Sequence, residues 1–471
     1  MHFKTIFKSF LNKDMRKRIL IVLGIIVAYR LLAHVPVPLG DAGTFQDAVE
    51  NLLSKSDFSS FLNLISGGGL TSLSIILVGL SPFITSSIVV QLITKAIPKL
   101  EELSQDGETG RRKINQWTRR LTVPLAIVQS IAYIFILRES ALANTTSDIT
   151  LSSGQWFLAV TAMTAGSIIL MWLGELITEQ GIGNGISMII FASIISQLPT
   201  TLASLGASLF DTSAGSLSLF GWFNLPVNPT VFWIILGFAV ALLIVIYFLV
   251  KLNEAQRIIT INYAKRVHGN SSYGGIKSIL PIKLIAAGVI PVIFATSFLA
   301  LPSLIGQLIQ SFNPGNEFGQ TLTTLFTAPS AQNFSTMYPN GINAQWFLYP
   351  AMYFVLVVMF TYFYTSIIFN TNEIADNLQK QGGFIEGVRP GLTTAKYLSK
   401  VVNRLNLFGS LALGLIAMLP FITDYIFIMT MGYPIGLSIS GTGLLIVVTV
   451  ALESLRQLDS RALMITYDDY K

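Results

Sequence analysis

Two glycine-rich stretches contain the residue types that could bind a phosphate or a nucleotide. The first, Gly-Ile-Gly-Asn-Gly at 181–185, lacks the G-x-G-x-x-G spacing of a dinucleotide-binding loop, and no predicted strand precedes it. The second, at 106–113, lacks the G-K-[ST] end of a phosphate-binding loop. We interpret the first as the glycine-rich start of an apolar segment and the second as a tight basic turn at a membrane surface.

The side chains needed for catalysis or metal binding are few and scattered. The sequence has no Cys, and its three His residues, His2, His34 and His268, lie outside the apolar runs and in no metal-ligand spacing. An intramembrane serine protease needs a His within a span and an aspartyl protease needs two Asp, and the apolar runs contain neither. We therefore predict that the protein is not an enzyme and binds no cofactor or metal.

The composition is that of a membrane protein. Of the 471 residues, 52% are hydrophobic and 11% are charged, whereas soluble proteins carry about 25% charged residues. The sequence predicts an all-α polytopic membrane protein with ten transmembrane helices of roughly 20 residues. These apolar runs lie near 19–33, 73–94, 121–137, 156–173, 186–205, 231–250, 284–301, 346–369, 405–422 and 433–452.

Basic residues lie mainly on one side of the predicted membrane. Twenty-seven of the 30 Lys and Arg residues fall in the two tails and in the loops after the second, sixth and eighth runs. Only Lys55 and Arg138 fall in the opposite loops. The positive-inside rule then predicts that both termini are cytoplasmic. Ten spans with this topology divide into two five-span halves, of which one is inverted relative to the other.

The segment before the second run differs from a spanning helix. Residues 61–70 are mildly apolar, too short to span, and end in three consecutive glycines. We predict a short helix, a glycine hinge, and then a spanning helix over 73–94 that Pro82 interrupts near its middle. A segment that does not span is tolerated when it is buried in protein or lines a watery cavity. Two interpretations stay open, a gate and an external loop folded against the bundle.

Bulky aliphatic residues recur at helical spacing beside helix breakers. Leu80 and Ile84 are four residues apart, as are Ile186 and Ile190, so each pair shares a helix face. Ile293 follows a second proline, Pro291, that we place in the middle of a span. A ring of such side chains could form a hydrophobic constriction that gates by dewetting, and ordinary helix packing is the alternative.

A secondary transporter of small solutes is the competing function. Such transporters place ionisable residues near the middle of the membrane to bind ions or substrate. Apart from Arg30 in the first run, the ten runs contain no Lys, Arg, Asp or Glu. This pattern argues against ion coupling and leaves a passive pore open.

Several motifs distributed over residues 16–467 resemble those of one family. They are Ser-Gly-Gly at 66–68, Ser-Pro-Phe-Ile-Thr-Ser-Ser-Ile at 81–88, Gly-Glu at 107–108 with Gly-Arg-Arg-Lys-Ile at 110–114, Trp-Leu-Gly-Glu at 172–175, Gly-Ile-Gly-Asn-Gly-Ile-Ser at 181–187, Asn-Tyr-Ala-Lys-Arg at 262–266, Ala-Asp-Asn-Leu at 375–378, Arg-Pro-Gly at 389–391, Thr-Ala-Lys-Tyr at 394–397, Gly-Thr at 441–442 and Leu-Leu-Ile at 444–446. The sequence resembles the SecY family of protein-conducting channel subunits, which is similar to eukaryotic Sec61 α.

The resemblance implies a fold of two pseudo-symmetric, inverted five-helix halves, 1–210 and 211–471, with a short re-entrant plug helix around 61–70. It implies cytoplasmic docking loops at 251–283 and 370–404. It also implies a lateral gate toward lipid, in which runs two and three face runs seven and eight.

Site residues follow from the same resemblance, position by position. The implied pore ring is Leu80, Ile84, Ile186, Ile190, Ile293 and Ile446. The implied plug residues are Phe61, Leu62, Leu64, Ile65, Gly67, Gly68, Gly69 and Leu70. The implied docking residues for the SecA motor or the ribosome are Arg257, Lys265, Arg266, Arg389 and Lys396. Position 80 departs mildly from the family, because many bacterial members have isoleucine there. The basic loops could instead serve only to set topology.

The resemblance implies a channel subunit in the bacterial plasma (inner) membrane. It would translocate unfolded secretory polypeptides and release transmembrane segments laterally into lipid, driven by SecA or the ribosome. Its expected partners are a SecE subunit, a SecG subunit, SecA, the ribosome, chains with signal sequences and the lipid bilayer. An insertase for membrane proteins alone is not distinguished from this function by sequence.

Overall fold

Helices make up most of the chain in the computed structural model, which describes residues 13–38, 72–142, 152–210, 217–219, 223–225, 227–263, 266–268, 271–273, 277–313, 315–327, 345–431 and 441–468. The helices there are α1 (Lys13–Leu32), α2 (Ser81–Ala96), α3 (Pro98–Gln105), α4 (Gly107–Leu142), α5 (Ser153–Gln180), α6 (Gly185–Leu209), α7 (Pro229–Glu254), α8 (Ile290–Phe312), α9 (Glu317–Phe326), α10 (Gln345–Ile368), α11 (Thr371–Lys380), α12 (Leu392–Met431) and α13 (Gly441–Asp468). The strands are β1 (Leu217–Leu219), β2 (Phe223–Leu225), β3 (Gln256–Tyr263), β4 (Arg266–His268), β5 (Ser271–Tyr273), β6 (Lys277–Lys283) and β7 (Gly383–Ile385).

Six of these helices are long and apolar enough to cross a membrane, and a seventh span results if the bent pair α2 and α3 counts as one. Five of them lie within α4, α5, α7, α8 and α12, and the sixth, Phe347–Lys380, runs from α10 through α11. The prediction of a multi-pass helical membrane protein is therefore confirmed. The count of ten spans stays a prediction.

The second apolar run is not one helix with a proline at its centre, so that prediction was wrong. Residues 72–80 form turns, and α2 begins at Ser81, so that Pro82 lies in its first turn. Proline is favoured there because the first helical N–H groups have no partner within the helix. Gly79, at φ 62°, makes the turn before the helix.

The turn segment 72–80 has its own partners for backbone groups. Val37 N donates to Leu73 O at 2.8 Å, and Ile75 N donates to Val35 O at 2.9 Å. On α5, the Ser167 hydroxyl donates to the Gly79 carbonyl at 3.0 Å. These bonds explain how non-helical backbone is tolerated within an apolar run, where unsatisfied polar groups are costly.

A three-stranded antiparallel sheet, which the sequence did not lead us to predict, joins the two predicted docking loops. Its strand order is β6-β3-β7, so a strand of loop 251–283 pairs with a strand of loop 370–404. The buried face of the sheet packs on the start of α12 through Ile259, Ile282, Ile385, Leu398 and Val402. The two loops therefore share one hydrophobic core.

The chain divides into two compact groups of residues. The first is Met1–Leu236 with Thr296–Pro350 and Pro420–Lys471, and it contains an apolar cluster that includes Ile134, Leu137 and Met163. The second is Gly237–Ala295 with Ala351–Leu419, and it contains the sheet and its core. The halves 1–210 and 211–471 stay a prediction.

Candidate pore constriction and docking surface

The residues implied for the pore ring are nearly all buried. Leu80, Ile84, Ile190, Ile293 and Ile446 are each at most 5% exposed, and Ile186 is half-buried. Buried aliphatic side chains are what a closed apolar constriction and an ordinary helix interface both require. The geometry of the helices that carry them is therefore the more informative observation.

Two of these isoleucines occupy the same place in two similar helix starts. In α2 and in α8 the second residue is proline and the fourth is isoleucine, Ile84 in one and Ile293 in the other. Each helix follows a glycine with φ 62°, Gly79 or Gly288. Pro291 therefore lies in the first turn of α8, at the start of the candidate span Ile290–Gln310 and not in its middle, which corrects our placement of it.

The shared pattern Gly-x-x-Pro-x-Ile is visible in the sequence once the two helix starts are known. It places a buried isoleucine in the first turn of the helix, directly after a turn that is not helical. The pattern therefore occurs once in each compact group, as a repeat of only six residues.

Helix α6 is held closely against α5 at its start. The Asn184 side chain caps α6 by accepting from Ile186 N at 3.1 Å. A Cβ on Gly185 would lie 1.7 Å from the Gly174 carbonyl oxygen, so the two backbones touch. A Cβ on Gly174 would in turn lie 3.4 Å from Ile186 Cγ1. Ile186 therefore packs on α5, and Ile190 follows one turn later.

Helix α13, which carries Ile446, packs along α6. The Ser454 hydroxyl donates to the Met188 sulfur at 3.2 Å, and the Arg461 guanidinium lies against Gly181. Within the first compact group, the helices of Ile190 and Ile446 are thus neighbours. The closed ring of six residues stays a prediction.

Small polar side chains are buried on α2 and α4. The Ser86 hydroxyl donates to the Thr118 carbonyl at 2.6 Å. In contrast, Thr85 Oγ1 and Gln129 Oε1 are buried, and neither has a hydrogen-bond partner in the part of the chain that the structure describes. Such orphan oxygens weaken a packed helix interface. They lie on the helices of runs two and three, to which the family resemblance assigns one side of the lateral gate.

Three of the five implied docking residues are exposed at or beside the sheet. Arg257 lies on β3, Arg389 follows β7, and Lys396 lies in the first turns of α12. The Arg389 loop turns at Gly387 and Gly391, which have φ 78° and φ 93°. The Thr394 hydroxyl fixes the loop by donating to the Arg389 carbonyl at 2.9 Å. The sheet therefore holds cations from both loops on one body.

A sequence model of the SecY family matches residues 74–455. The chain belongs to the SecY family. It is 39% identical over 468 residues to the protein translocase subunit SecY of Streptomyces coelicolor, and the similarity covers 98% of both chains.

Solved structures of SecY-like channels share the fold. One, described as the structure of a protein conducting channel, matches with a TM-score of 0.61 and 19% identity over 93% of this chain and 90% of that one. Another, Sec61 in the canine ribosome–channel complex from the endoplasmic reticulum, matches with a TM-score of 0.58 and 18% identity over 93% of this chain and 90% of that one. At these identities the comparison shows the fold alone.

Two sets of implied SecY residues lie outside the described part of the chain. All eight plug residues fall within 39–71, and Lys265 falls between β3 and β4. Arg266 is the first residue of β4. The plug and all five docking residues stay predictions.

Replacing Thr85 by valine should stabilise this SecY-family chain by about 1 kcal/mol, because it removes a buried hydroxyl that has no partner among the described residues. The matched control is Ser86→Ala on the next residue. It should destabilise the chain by about 0.5–1 kcal/mol, because it removes the hydrogen bond to Thr118. Thermal unfolding in lipid nanodiscs measures both. Equal shifts of the same sign would contradict the assignment of Thr85 as an orphan.

Proposed function

We propose that the chain is the channel subunit of a protein translocase. It conducts unfolded secretory polypeptides across the membrane and releases transmembrane segments laterally into lipid. The observation that carries this function is the similarity to protein translocase subunits SecY over 98% of the chain. The apolar spanning helices fit it, because a wall without strong side-chain binding sites does not hold a passing chain.

The proposed constriction seals the pore because its side chains are apolar. Leu80, Ile84, Ile186, Ile190, Ile293 and Ile446 form a ring that excludes water when no polypeptide is present. Aliphatic side chains are deformable and make only weak, unspecific contacts with an unfolded chain. The same ring therefore seals against ions at rest and yields when a polypeptide enters.

The lateral gate is formed by α2 and α4 on one side and by α8 and α10 on the other. The assignment of these four helices to the gate rests on the resemblance of the chain to the SecY family. A segment rich in apolar residues then moves sideways into lipid, while a polar segment continues through the pore.

The driving force comes from partners, and the chain itself hydrolyses nothing. Both termini and the sheet lie in the cytoplasm of a bacterium, as the excess of basic residues on that side favours. The cations Arg257, Lys265, Arg266, Arg389 and Lys396 dock the ribosome, whose RNA is polyanionic, or the SecA motor. Small SecE and SecG subunits complete the complex. That Sec61 occurs in a ribosome–channel complex is consistent with ribosome docking.

A disulfide crosslink between the constriction and a stalled polypeptide tests the proposed function. The chain has no native Cys, so Ile293→Cys supplies a single thiol. A second Cys is placed in a ribosome-attached secretory chain. We expect a crosslink whose position along the secretory chain shifts as that chain lengthens, because successive residues pass the constriction.

The matched control is a single Cys at Leu243, which is 65% exposed on α7. It should not crosslink to a hydrophilic secretory chain, because it lies on an exposed helix surface rather than in the proposed ring. Absence of any crosslink at Ile293, Ile84 or Ile190 in inserted, assembled complexes would contradict the ring and favour a solute transporter.

A further inference from the structure

The first turns of α12 have one buried face and one cationic face. Leu398 and Val402 are buried against Ile259, Ile282 and Ile385 of the sheet. Lys396, Lys400 and Arg404 lie on the opposite face, within about 80° of one another at 100° per residue, and all three are exposed. Because the sheet core fixes the rotation of the helix, the direction of the cationic face is fixed as well.

The same face becomes apolar one turn later. Leu407, Phe408, Leu411 and Leu415 continue the stripe of Lys396, Lys400 and Arg404, and they are 46%, 67%, 39% and 58% exposed. They belong to the apolar run 405–422. Exposed apolar side chains on a spanning helix face lipid, so the change from cation to aliphatic between Arg404 and Leu407 marks the edge of the hydrocarbon.

Contacts of α12 beyond Arg404, on the side of the hydrocarbon, keep this helix in the same rotation about its axis. The Thr365 hydroxyl of α10 donates to Asn406 Oδ1 at 3.0 Å in a buried position. A Cβ on Gly409 would lie 2.4 Å from the Leu284 carbonyl oxygen, so α12 touches the turn before α8 there. The stripe of cations and aliphatics therefore runs straight across the membrane boundary.

The three cations differ in height above the hydrocarbon. At 1.5 Å per residue, Arg404 is about 4.5 Å, Lys400 about 10 Å and Lys396 about 16 Å from Leu407 along the helix. The headgroup layer is about 5–8 Å thick on each side of the hydrocarbon. Arg404 thus lies within the phosphate layer and Lys400 just beyond its outer edge, whereas Lys396 lies well into the aqueous phase.

We propose that Arg404 and Lys400 form a binding site for the headgroup phosphate of an anionic phospholipid in the leaflet where α12 begins. Its acyl chains lie along Leu407, Phe408 and Leu411. The sequence from 392 to 423 contains no Asp or Glu, and neither cation makes an ion pair within the described ranges. A phosphate therefore supplies the counter-charge, and bidentate hydrogen bonding by arginine suits it.

A macromolecular partner fits this pair of cations less well. A ribosome or a motor approaches from the aqueous phase, where it meets Arg389 and Lys396 before the headgroup layer. Lys400 and Arg404 are continuous with the lipid-facing stripe, and lipid already covers that stripe. The site thus goes beyond the proposed function, and it separates the lipid-binding cations of α12 from the docking cation Lys396.

Fluorescence quenching by brominated lipids tests the site in the full-length chain in nanodiscs. A single Leu407→Cys carries a bimane reporter one turn from Arg404. At equal mole fractions, brominated phosphatidylglycerol should quench it about twofold or more over brominated phosphatidylcholine, since each cation near the surface favours anionic lipid about fivefold. The ratio should fall to about one in the variant K400Q/R404Q, because the charge that selects the anionic lipid is gone.

Three controls isolate the contribution of this pair of cations to the quenching ratio. Lys396→Gln should leave the ratio unchanged, and the charge-preserving variant K400R/R404K should retain it. A reporter at Leu243 should show no preference in any variant, because it lies on a lipid-facing helix without these cations. A quenching ratio near one in the parent chain overturns the proposal. A ratio near one in K400R/R404K overturns it as well. If K400Q/R404Q binds ribosomes less well and its quenching ratio is unchanged, the two cations belong to the docking surface, and the lipid site is overturned.

Discussion

Gly185→Ala should leave almost no folded protein. A Cβ at this position would lie 1.7 Å from the Gly174 carbonyl oxygen and 2.7 Å from its carbon. Both are backbone atoms of α5, so the clash cannot be relieved by a rotamer change, and α5 and α6 must separate. Overpacking of a buried interface usually costs about 1–3 kcal/mol, and a backbone clash of this size should exceed that range.

A second glycine on the same helix provides the control. Gly206 has no atom within 4 Å of an added Cβ. Gly206→Ala should therefore be neutral or stabilise the helix by up to about 1 kcal/mol. The yield of monodisperse protein in detergent and its melting temperature measure both variants. Equal melting temperatures for Gly185→Ala and Gly206→Ala would contradict the close contact between α5 and α6.

The spanning helices could be predicted from hydropathy because the bilayer requires each crossing segment to satisfy its own backbone hydrogen bonds. The residues at which α2 and α8 begin could not be predicted from hydropathy. Residues 72–80 are as apolar as the helix that follows, yet they form turns whose carbonyls and amides bond to the segment 35–37 and to Ser167. Hydropathy does not distinguish a helix from turns that are buried in protein. The better local signal was a glycine three residues before a proline.

The sheet was missed for a different reason. The alternation in β3 is readable, since Ile259 and Ile261 are buried while their neighbours at 258 and 260 are exposed. Its partner β7, however, is more than 100 residues away in the sequence. Pairing over that distance depends on where the spanning helices place the two loops. The ring residues were assigned from motifs and stay predictions, because the closure of a ring is not a local property of any one of them.

Ile190→Asn should convert a sealed channel into a leaky one. Ile190 is fully buried on α6, and the proposed ring depends on apolar side chains to exclude water. An amide in the ring would hold water in the constriction and remove the dewetting barrier. We expect the resting ion conductance of the reconstituted channel complex in planar bilayers to rise about tenfold or more. The size-conserving variant Ile190→Leu should keep the seal.

The neighbouring residue separates a lost seal from a loosened fold. Ile189 is as buried as Ile190 and packs on α5, with its Cδ1 3.5 Å from where a Cβ on Gly174 would be, but it is not one of the proposed ring residues. Ile189→Asn should lower the melting temperature without opening a conductance in the channels that assemble. If both variants leak equally, the leak comes from separated helices, and Ile190 is then a packing residue. If Ile190→Asn alone leaks, the barrier lies at the side chain itself, because the two variants bury the same polar group one residue apart.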